Sequence, residues 1–314
     1  MRYSVVIPVY KNEASIARLL DALSDMNVSL ENNMEAVFIV DGSPDKSFEF
    51  LKNSLHQLTY PAQLLSHSRN FGSFAAIRSG LLAARGDFFG VMAADLQEPP
   101  ELVVSFFHSL TNDECDVAIG TRISRKDPII SRISSAIFWG MYRRLIVPDM
   151  PSGGVDVFGC NRQFRDQLLK LEESRSSLIA LIFWLGFRRK LVGYERQLRQ
   201  EGKSAWTLKK KIDYMMDSVF SFTDLPIRLL VRMGAIGSIL AIGMGASVLV
   251  AKVLGAIEVP GYAATLLVML IFGALNLLGL GLVGTYAWRA YENTKNRPLA
   301  VVAFKFNNDS GVIL

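Results

Sequence analysis

The sequence predicts an α/β fold with a mostly parallel sheet and flanking helices, followed by membrane-associated helices at the C-terminal end. Over the first 120 residues, short apolar runs alternate with amphipathic ones, which is the pattern of βαβ units. Beyond Arg232, charged residues nearly vanish from two long segments. At 314 residues, the chain has room for a globular domain and a separate hydrophobic part.

Strands and helices of the globular part are predicted from the spacing of apolar residues. Helical spacing runs from Ala14 to Leu23 and from Phe74 to Leu82, and each of these helices is expected to place one apolar stripe on a sheet. Ligands of open α/β sheets bind beyond the carboxyl ends of the strands, so the residues after each strand form the candidate site. The strand candidates are Ser4 to Val9, Ala36 to Val40, Gln63 to Ser66, Phe88 to Met92 and Val117 to Gly120.

Two uncharged segments, Met233 to Ala251 and Val259 to Trp288, are each about as long as a helix needs to cross roughly 30 Å of hydrocarbon. We therefore predict transmembrane helices at 229–252 and 260–288. Buried core helices are the alternative, but such helices seldom run this long without a charge. Basic residues flank the pair, which places domain 1–225, the tail 289–314 and both termini in the cytoplasm.

Two further segments, 131–147 and 207–222, mix basic and apolar residues at helical spacing, as interfacial helices do. Ordinary core helices show the same stripes and remain the alternative. The net charge of +5 resides largely in clusters such as Arg188 to Lys190 and Lys209 to Lys211. These clusters favour anionic lipid headgroups over nucleic acid as the partner, with a merely solvated surface as the other explanation.

The cysteines and histidines indicate neither disulfides nor zinc. Cys115 and Cys160 are isolated, which is typical of buried thiols in a reducing compartment. The three histidines have no metal-ligand spacing.

Polar motifs follow the predicted strands in order, at Pro8 to Glu13, Asp41-Gly42-Ser43, Arg69-Asn70-Phe71-Gly72, Asp95-Leu96-Gln97 and Thr121-Arg122. Together they resemble family 2 glycosyltransferases with the GT-A fold. With Pro99-Pro100-Glu101 and the two C-terminal spans, the chain is similar to the dolichol- and polyprenyl-phosphate branch of that family. The resemblance covers essentially the whole chain.

The resemblance implies a nucleotide-sugar donor held with Mg²⁺ or Mn²⁺, a hard cation suited to a diphosphate leaving group. Asp95 and Gln97 match the family's metal ligands, although Ala93 and Val40 stand where the family often has further acids. Turn chemistry explains Asp41 equally well, and helix-start chemistry is the alternative for Glu13. The donor-binding residues implied are Pro8, Tyr10, Glu13, Asp41, Arg69 and Asp95.

A lipid phosphate carries its own negative charge, so the acceptor needs cationic positioning rather than a strong base. Asp156 is accordingly expected to be structural. Asp95, Arg122, Arg199 and Lys203 are the expected catalytic residues. The acceptor phosphate is assigned to Arg122, Arg132, Arg199, Lys203 and Ser204, the last three lying in a segment similar to the family's Arg-x-x-Gly-x-Ser loop.

The expected function is therefore inverting transfer of one sugar, UDP-glucose being the first donor considered, to a polyprenyl phosphate such as undecaprenyl phosphate. The location is the cytoplasmic face of the inner cell membrane, in a multi-pass protein. Small residues in both spans favour a homo-oligomer. The alternatives are a GDP-mannose-dependent mannosyltransferase, a transferase that extends a lipid-linked saccharide, and a non-catalytic membrane protein that binds nucleotide.

Overall fold

The computed structural model describes residues 2–124, 140–144, 146–151, 155, 157–173, 177–197, 208–254, 261–308 and 311–312. The chain forms two compact units. The first comprises Met1–Tyr214 and Pro298–Leu314, and the second comprises Met215–Arg297. The boundary lies eleven residues before the predicted end of the catalytic domain at 225, within a helix that the sequence analysis placed at 207–222.

The first unit is built on one sheet. Its described strands are β1 (Tyr3–Val9), β2 (Met34–Val40), β3 (Ala62–His67), β4 (Phe88–Val91), β5 (Val117–Ser124), β6 (Phe158–Asn161), β7 (Arg189–Glu195), β8 (Val302–Asn307) and β9 (Gly311–Val312). Their spatial order is β7-β5-β6-β4-β1-β2-β3-β8-β9. All five strands predicted from the sequence are present, with ends within a few residues of those expected.

The helices of the chain flank this sheet or form the second unit. They are α1 (Ile16–Ser29), α2 (Ser47–Ser54), α3 (Ser73–Ala83), α4 (Pro100–Thr111), α5 (140–144), α6 (Arg162–Leu169), α7 (Leu178–Trp184), α8 (Leu208–Phe222), α9 (Leu225–Val253) and α10 (Tyr262–Thr294). Local sequence features determine where several of these helices begin. Pro100 occupies the first turn of α4, while the side chains of Asn161 and Ser177 cap α6 and α7.

Strand directions bring several strand ends to one edge. β1 pairs in parallel with β2 on one side and with β4 on the other, so the strand order reverses at β1 and β4. β6 runs antiparallel to both β4 and β5, and β7 runs parallel to β5. The carboxyl ends of β5 and β7 therefore lie at the same edge as those of β1 to β4. Such a reversal is where ligands of open α/β sheets bind.

The core lies against both faces of the central strands. β2 is buried along its whole length, as expected for a parallel strand covered on both faces. The apolar stripe of α1, which includes Leu19 and Leu23, is buried as predicted. The stripe predicted on α3 is partly wrong, because Leu82 is exposed while Ile77 and Leu81 are buried. Leu82 follows Leu81 directly, so its side chain points away from the helix face that packs on the sheet.

The C-terminal segment forms part of the sheet rather than the separate tail expected at 289–314. β8 pairs antiparallel with β3, so the chain returns to the first unit after α10. Phe304 packs edge-to-face on Phe48 at 5.2 Å between ring centroids, and Phe306 packs on His56 at 5.0 Å. These aromatic contacts hold the added strand in place.

The second unit contains two long apolar helices. Stretches of α9 and α10, Leu225–Ser247 and Ile271–Thr294, are long and apolar enough to cross a membrane. Within this unit, Arg289 of α10 forms a 2.6 Å ion pair with Asp217 of α8. A Cβ added at Gly279 of α10 would lie 3.6 Å from Leu230 of α9, in ordinary van der Waals contact.

The basic cluster predicted to attract lipid headgroups is paired within the first unit. Arg188 contacts Asp116 at 3.0 Å. Arg189 contacts Asp149 at the same distance, and Lys190 contacts Glu114. Each of these three cations is thus paired with an acid, and their attraction to lipid headgroups stays a prediction. Lys209 to Lys211 begin α8, and their side chains lie outside the described part.

Candidate active site

Eight of the residues predicted for the site are described, and all lie toward the carboxyl edge of the sheet. Pro8 lies near the end of β1 and Tyr10 and Glu13 follow it, Asp41 follows β2, Arg69 follows β3, Asp95 and Gln97 follow β4, and Arg122 lies near the end of β5. Arg132, Asp156, Arg199, Lys203 and Ser204 lie outside the described residues and stay predictions.

The loops after β1 and β2 are joined by hydrogen bonds. The N–H of Lys11 donates to Ser43 Oγ at 2.8 Å. The N–H of Glu13 donates to Asp45 Oδ2 at 3.1 Å, and the N–H of Lys46 donates to Glu13 Oε2 at 3.0 Å. Glu13 therefore links the two loops. The nucleotide contact expected of this residue stays a prediction.

Asp41 joins the loop after β2 to the loop after β3. The carboxylate is 2% exposed and accepts hydrogen bonds from the N–H groups of Phe71 and Gly72 at 2.8 and 2.7 Å. Its Oδ1 atom also lies 2.8 Å from His67 Nδ1, while His67 Nε2 lies 2.9 Å from Ser79 Oγ. A carboxylate has about four acceptor positions, so one remains for the contact with the donor predicted from the sequence.

The same contacts determine the ionisation of Asp41. Burial raises the pKa of its carboxyl, but the hydrogen bonds from His67, Phe71 and Gly72 together lower it more, so the pKa lies below the ordinary value of 3.8. The carboxylate is thus charged at neutral pH although it is buried. That charge fixes the Arg69 to Gly72 loop against the end of β2.

Gly42 lets these two loops approach. Its φ is +55°, and an added Cβ would lie 2.3 Å from the backbone carbonyl carbon of Arg69. No larger residue fits this position without moving the backbone. The Asp-Gly pair noted in the sequence is therefore required by loop packing as well as by turn geometry.

The turn after β4 presents the two predicted metal ligands. Leu96, between them, has a φ of +54°, which is uncommon for a residue with a side chain. Its side chain joins the hydrophobic core, while the N–H of Gln97 donates to Asp95 Oδ1 at 3.3 Å. Strained backbone of this kind persists only where the surroundings enforce it, and it concentrates at functional sites.

The residues at this turn fit a divalent cation shared with a substrate. Asp95 supplies a carboxylate and Gln97 an amide oxygen, both hard ligands. Within the described part of the chain, no group of three or more His, Cys, Asp or Glu side chains is placed to hold a metal ion. Mg²⁺ and Mn²⁺ commonly bind through one or two protein oxygens plus substrate phosphates. The two ligands at this turn suit such shared binding.

Arg196 is a site residue that the sequence analysis missed. Its Nη2 atom donates to Gln97 Oε1 at 2.6 Å, and its Nε lies 3.8 Å from Glu98 Oε1. It follows β7, an edge strand that was not predicted, and only the parallel pairing of β7 with β5 brings it to this edge. The one available signal was its spacing of three residues from Arg199.

Arg122 is the one predicted acceptor-phosphate residue that is described. It is half-buried near the end of β5, opposite Tyr194 of β7. In the sheet, β5 lies between β7, which Arg196 follows, and β4, which Asp95 and Gln97 follow. The acceptor role of Arg122 stays a prediction.

Comparison with known proteins gives a consistent result over most of the chain. The family model "Glycosyl transferase family 2" matches residues 4–171. The chain is 32% identical over 295 residues to the putative glycosyltransferase CsbB of Bacillus subtilis, covering 94% of this chain and 89% of that protein. It is 31% identical to the undecaprenyl-phosphate 4-deoxy-4-formamido-L-arabinose transferase of Aeromonas hydrophila, covering 94% and 91% of the two chains.

Similarity to solved structures is more distant. Glucosyl-3-phosphoglycerate synthase from Mycobacterium tuberculosis, solved with Mn²⁺, uridine diphosphate and phosphoglyceric acid, has a TM-score of 0.49 and 17% identity. The similarity extends over 70% of this chain and 76% of the synthase chain.

Replacing Asp41 by Asn tests the role of its carboxylate. An Asn side chain has one acceptor oxygen and must turn its NH₂ group toward a donor, leaving a buried N–H unsatisfied at a cost of about 1–3 kcal/mol at pH 7. Because the folded-state pKa is lowered, the stabilisation by Asp41 is fully present above its ordinary pKa of 3.8 and is lost as pH falls through the folded-state value.

The thermal unfolding midpoint of Asp41→Asn should therefore lie below that of the wild type. This difference should be constant near neutral pH and should disappear at strongly acidic pH. Asp25→Asn, an exposed acid on α1, is the matched control and should unfold like wild type. Equal unfolding midpoints at neutral pH, or a difference that grows in acid, would contradict the stabilising role of the Asp41 carboxylate.

Proposed function

The chain belongs to glycosyl transferase family 2, and we propose that it transfers one sugar from a nucleotide-sugar donor to a polyprenyl phosphate at the cytoplasmic face of a cell membrane. The chain is a glycosyltransferase with the GT-A-like arrangement expected from its sequence, a mostly parallel sheet with flanking helices. The observation that carries the proposal is the Asp95-Leu96-Gln97 turn beside β1, where the strand order reverses.

The donor binds across the loops after β1, β2, β3 and β4. Pro8, Tyr10 and Glu13 line the nucleotide from the β1 side, while Asp41 and Arg69 do so from the β2 and β3 sides. Asp95 and Gln97 hold Mg²⁺ or Mn²⁺ together with the diphosphate. A bound cation of this kind offsets the negative charge that develops on a diphosphate leaving group.

The acceptor is the phosphate of a polyprenyl lipid, which attacks directly. A phosphate oxygen forms the new bond to the anomeric carbon as the bond from that carbon to the diphosphate breaks, so the configuration inverts. Arg122, with Arg132, Arg199, Lys203 and Ser204, holds the acceptor phosphate in line. The support is the similarity, over more than nine-tenths of both chains, to transferases named for undecaprenyl phosphate.

The second unit anchors the enzyme in the membrane as a helical hairpin. The apolar stretches of α9 and α10 each have the length of a membrane span. The chain leaves the first unit before α9 and returns to it as β8, which pairs with β3. A unit entered and left from one folded domain crosses the membrane an even number of times, so the segments before and after it lie on the same side. The basic residues that flank the two spans favour the cytoplasm as that side.

Replacing Asp95 by Ala should abolish sugar transfer while leaving the fold intact, because its half-buried side chain is assigned to the cation and is not part of the hydrophobic core. The assay is the transfer of radiolabelled sugar to undecaprenyl phosphate with Mn²⁺. The donors are UDP-glucose first, then GDP-mannose and UDP-4-deoxy-4-formamido-L-arabinose. EDTA should remove wild-type activity.

Asp113→Ala, which removes an exposed acid paired with Arg188, is the control and should keep full activity. Transfer by a folded Asp95→Ala protein at the wild-type rate would overturn the assigned role.

Single cysteines test the membrane hairpin, since Cys115 and Cys160 are buried. In intact cells, a membrane-impermeant maleimide should label Leu254→Cys, between the two spans, but not Val28→Cys or Arg297→Cys. The latter two should react only after permeabilisation. Labelling of Val28→Cys and Arg297→Cys from opposite sides would rule out a hairpin.

A further inference from the structure

Arg196 occupies the oxygen that the proposed cation requires. Its guanidinium lies 2.6 Å from Gln97 Oε1, and Gln97 is only 8% exposed. The backbone reinforces this contact, because the N–H of Gln197 donates to the carbonyl of Gln97 at 2.9 Å. The end of β7 and the turn after β4 are thus held together at the atom assigned to metal binding.

A guanidinium and a divalent cation cannot both approach this oxygen without repulsion. Both are positively charged, and the repulsion is strengthened where water is largely excluded. Cation binding at Gln97 therefore opposes the Arg196 contact, and the Arg196 contact opposes cation binding. The competition is electrostatic, because two positively charged groups would share the two lone pairs of one amide oxygen.

Glu98 gives the guanidinium an alternative partner. Its carboxylate is 3% exposed and lies 3.8 Å from Arg196 Nε. When a cation takes the Gln97 oxygen, Arg196 can remain beside Glu98 without being expelled into solvent. When the cation leaves, Arg196 returns to Gln97. The guanidinium can therefore move reversibly between these two neighbouring residues.

We propose that Arg196 is a positioning residue that competes with the cation for Gln97 and thereby promotes release of the nucleoside diphosphate after transfer. The inference depends on the proposed function, since it assumes that Asp95 and Gln97 hold a cation shared with that diphosphate. Product release limits the turnover of many enzymes. A competitor inside the site weakens the hold on the leaving product.

The test is the affinity for Mn²⁺ with UDP, and in parallel with GDP, measured by the electron paramagnetic resonance signal of free Mn²⁺. In Arg196→Ala, the affinity should become about tenfold tighter, because a charge-assisted hydrogen bond that competes with the cation is removed. In turnover, KM for the donor and kcat should both fall, and added nucleoside diphosphate should inhibit more strongly.

Arg189→Ala is the matched control, since it removes the same charge from the other end of β7 and should leave the Mn²⁺ affinity unchanged. Arg196→Lys keeps the charge but lacks the planar fork, so it should bind with intermediate affinity and serves if Arg196→Ala does not fold. In a Gln97→Ala background, the Arg196→Ala substitution should no longer change the Mn²⁺ affinity.

Weaker or unchanged Mn²⁺ binding by Arg196→Ala would overturn the inference, because Arg196 would then orient Gln97 as a ligand or have no effect on it. Absence of Mn²⁺-dependent nucleotide binding by the wild-type protein would instead contradict the proposed function. The two failures are thus distinguished by the wild-type measurement.

Discussion

One buried carboxylate holds the carboxyl edge of the sheet in the shape that the site needs. Asp41 accepts hydrogen bonds from the backbone after β3 and lies against His67, while its neighbour Gly42 allows the two loops to touch. The loop after β2 is tied in turn to the loop after β1 through Ser43 and Asp45. Three of the four loops proposed to bind the donor therefore depend on each other's positions.

The fourth loop is shaped differently. Leu96 is anchored in the core with a positive φ, which leaves Asp95 and Gln97 on the turn at its two sides. This turn is tied through Gln97 to Arg196 and Gln197, on the side where the acceptor residues are expected. The proposed donor and acceptor sides of the site thus meet at one glutamine, which makes its hydrogen bonds informative about both.

The features predicted well from the sequence are those with a local signal. The first five strands are continuous apolar runs, and the polar motifs directly follow them, so their positions at one edge could be read from the chain. Strands β6 to β9 were missed, because their place in the sheet depends on pairing with segments that are distant in the sequence. Arg196 was missed for the same reason, and β8 was taken as tail.

Other differences arise from packing that periodicity cannot resolve. Leu82 fits a helical repeat yet is exposed, since the sheet contacts only part of that stripe. Arg188, Arg189 and Lys190 form a basic run in the sequence, but folding places an acid beside each of them. Charge runs therefore indicate a partner less reliably than strand-end motifs do, because distant acids are invisible in the sequence.

The claim that the lipid phosphate is itself the nucleophile is tested most directly by varying the acceptor headgroup. The purified protein is incubated with its donor and one of three acceptors, which are undecaprenyl phosphate, undecaprenol and an undecaprenyl-linked saccharide. The products are identified by mass spectrometry. The account predicts the addition of one sugar to undecaprenyl phosphate alone. Addition to the saccharide or to the alcohol, with none to the phosphate, would contradict it.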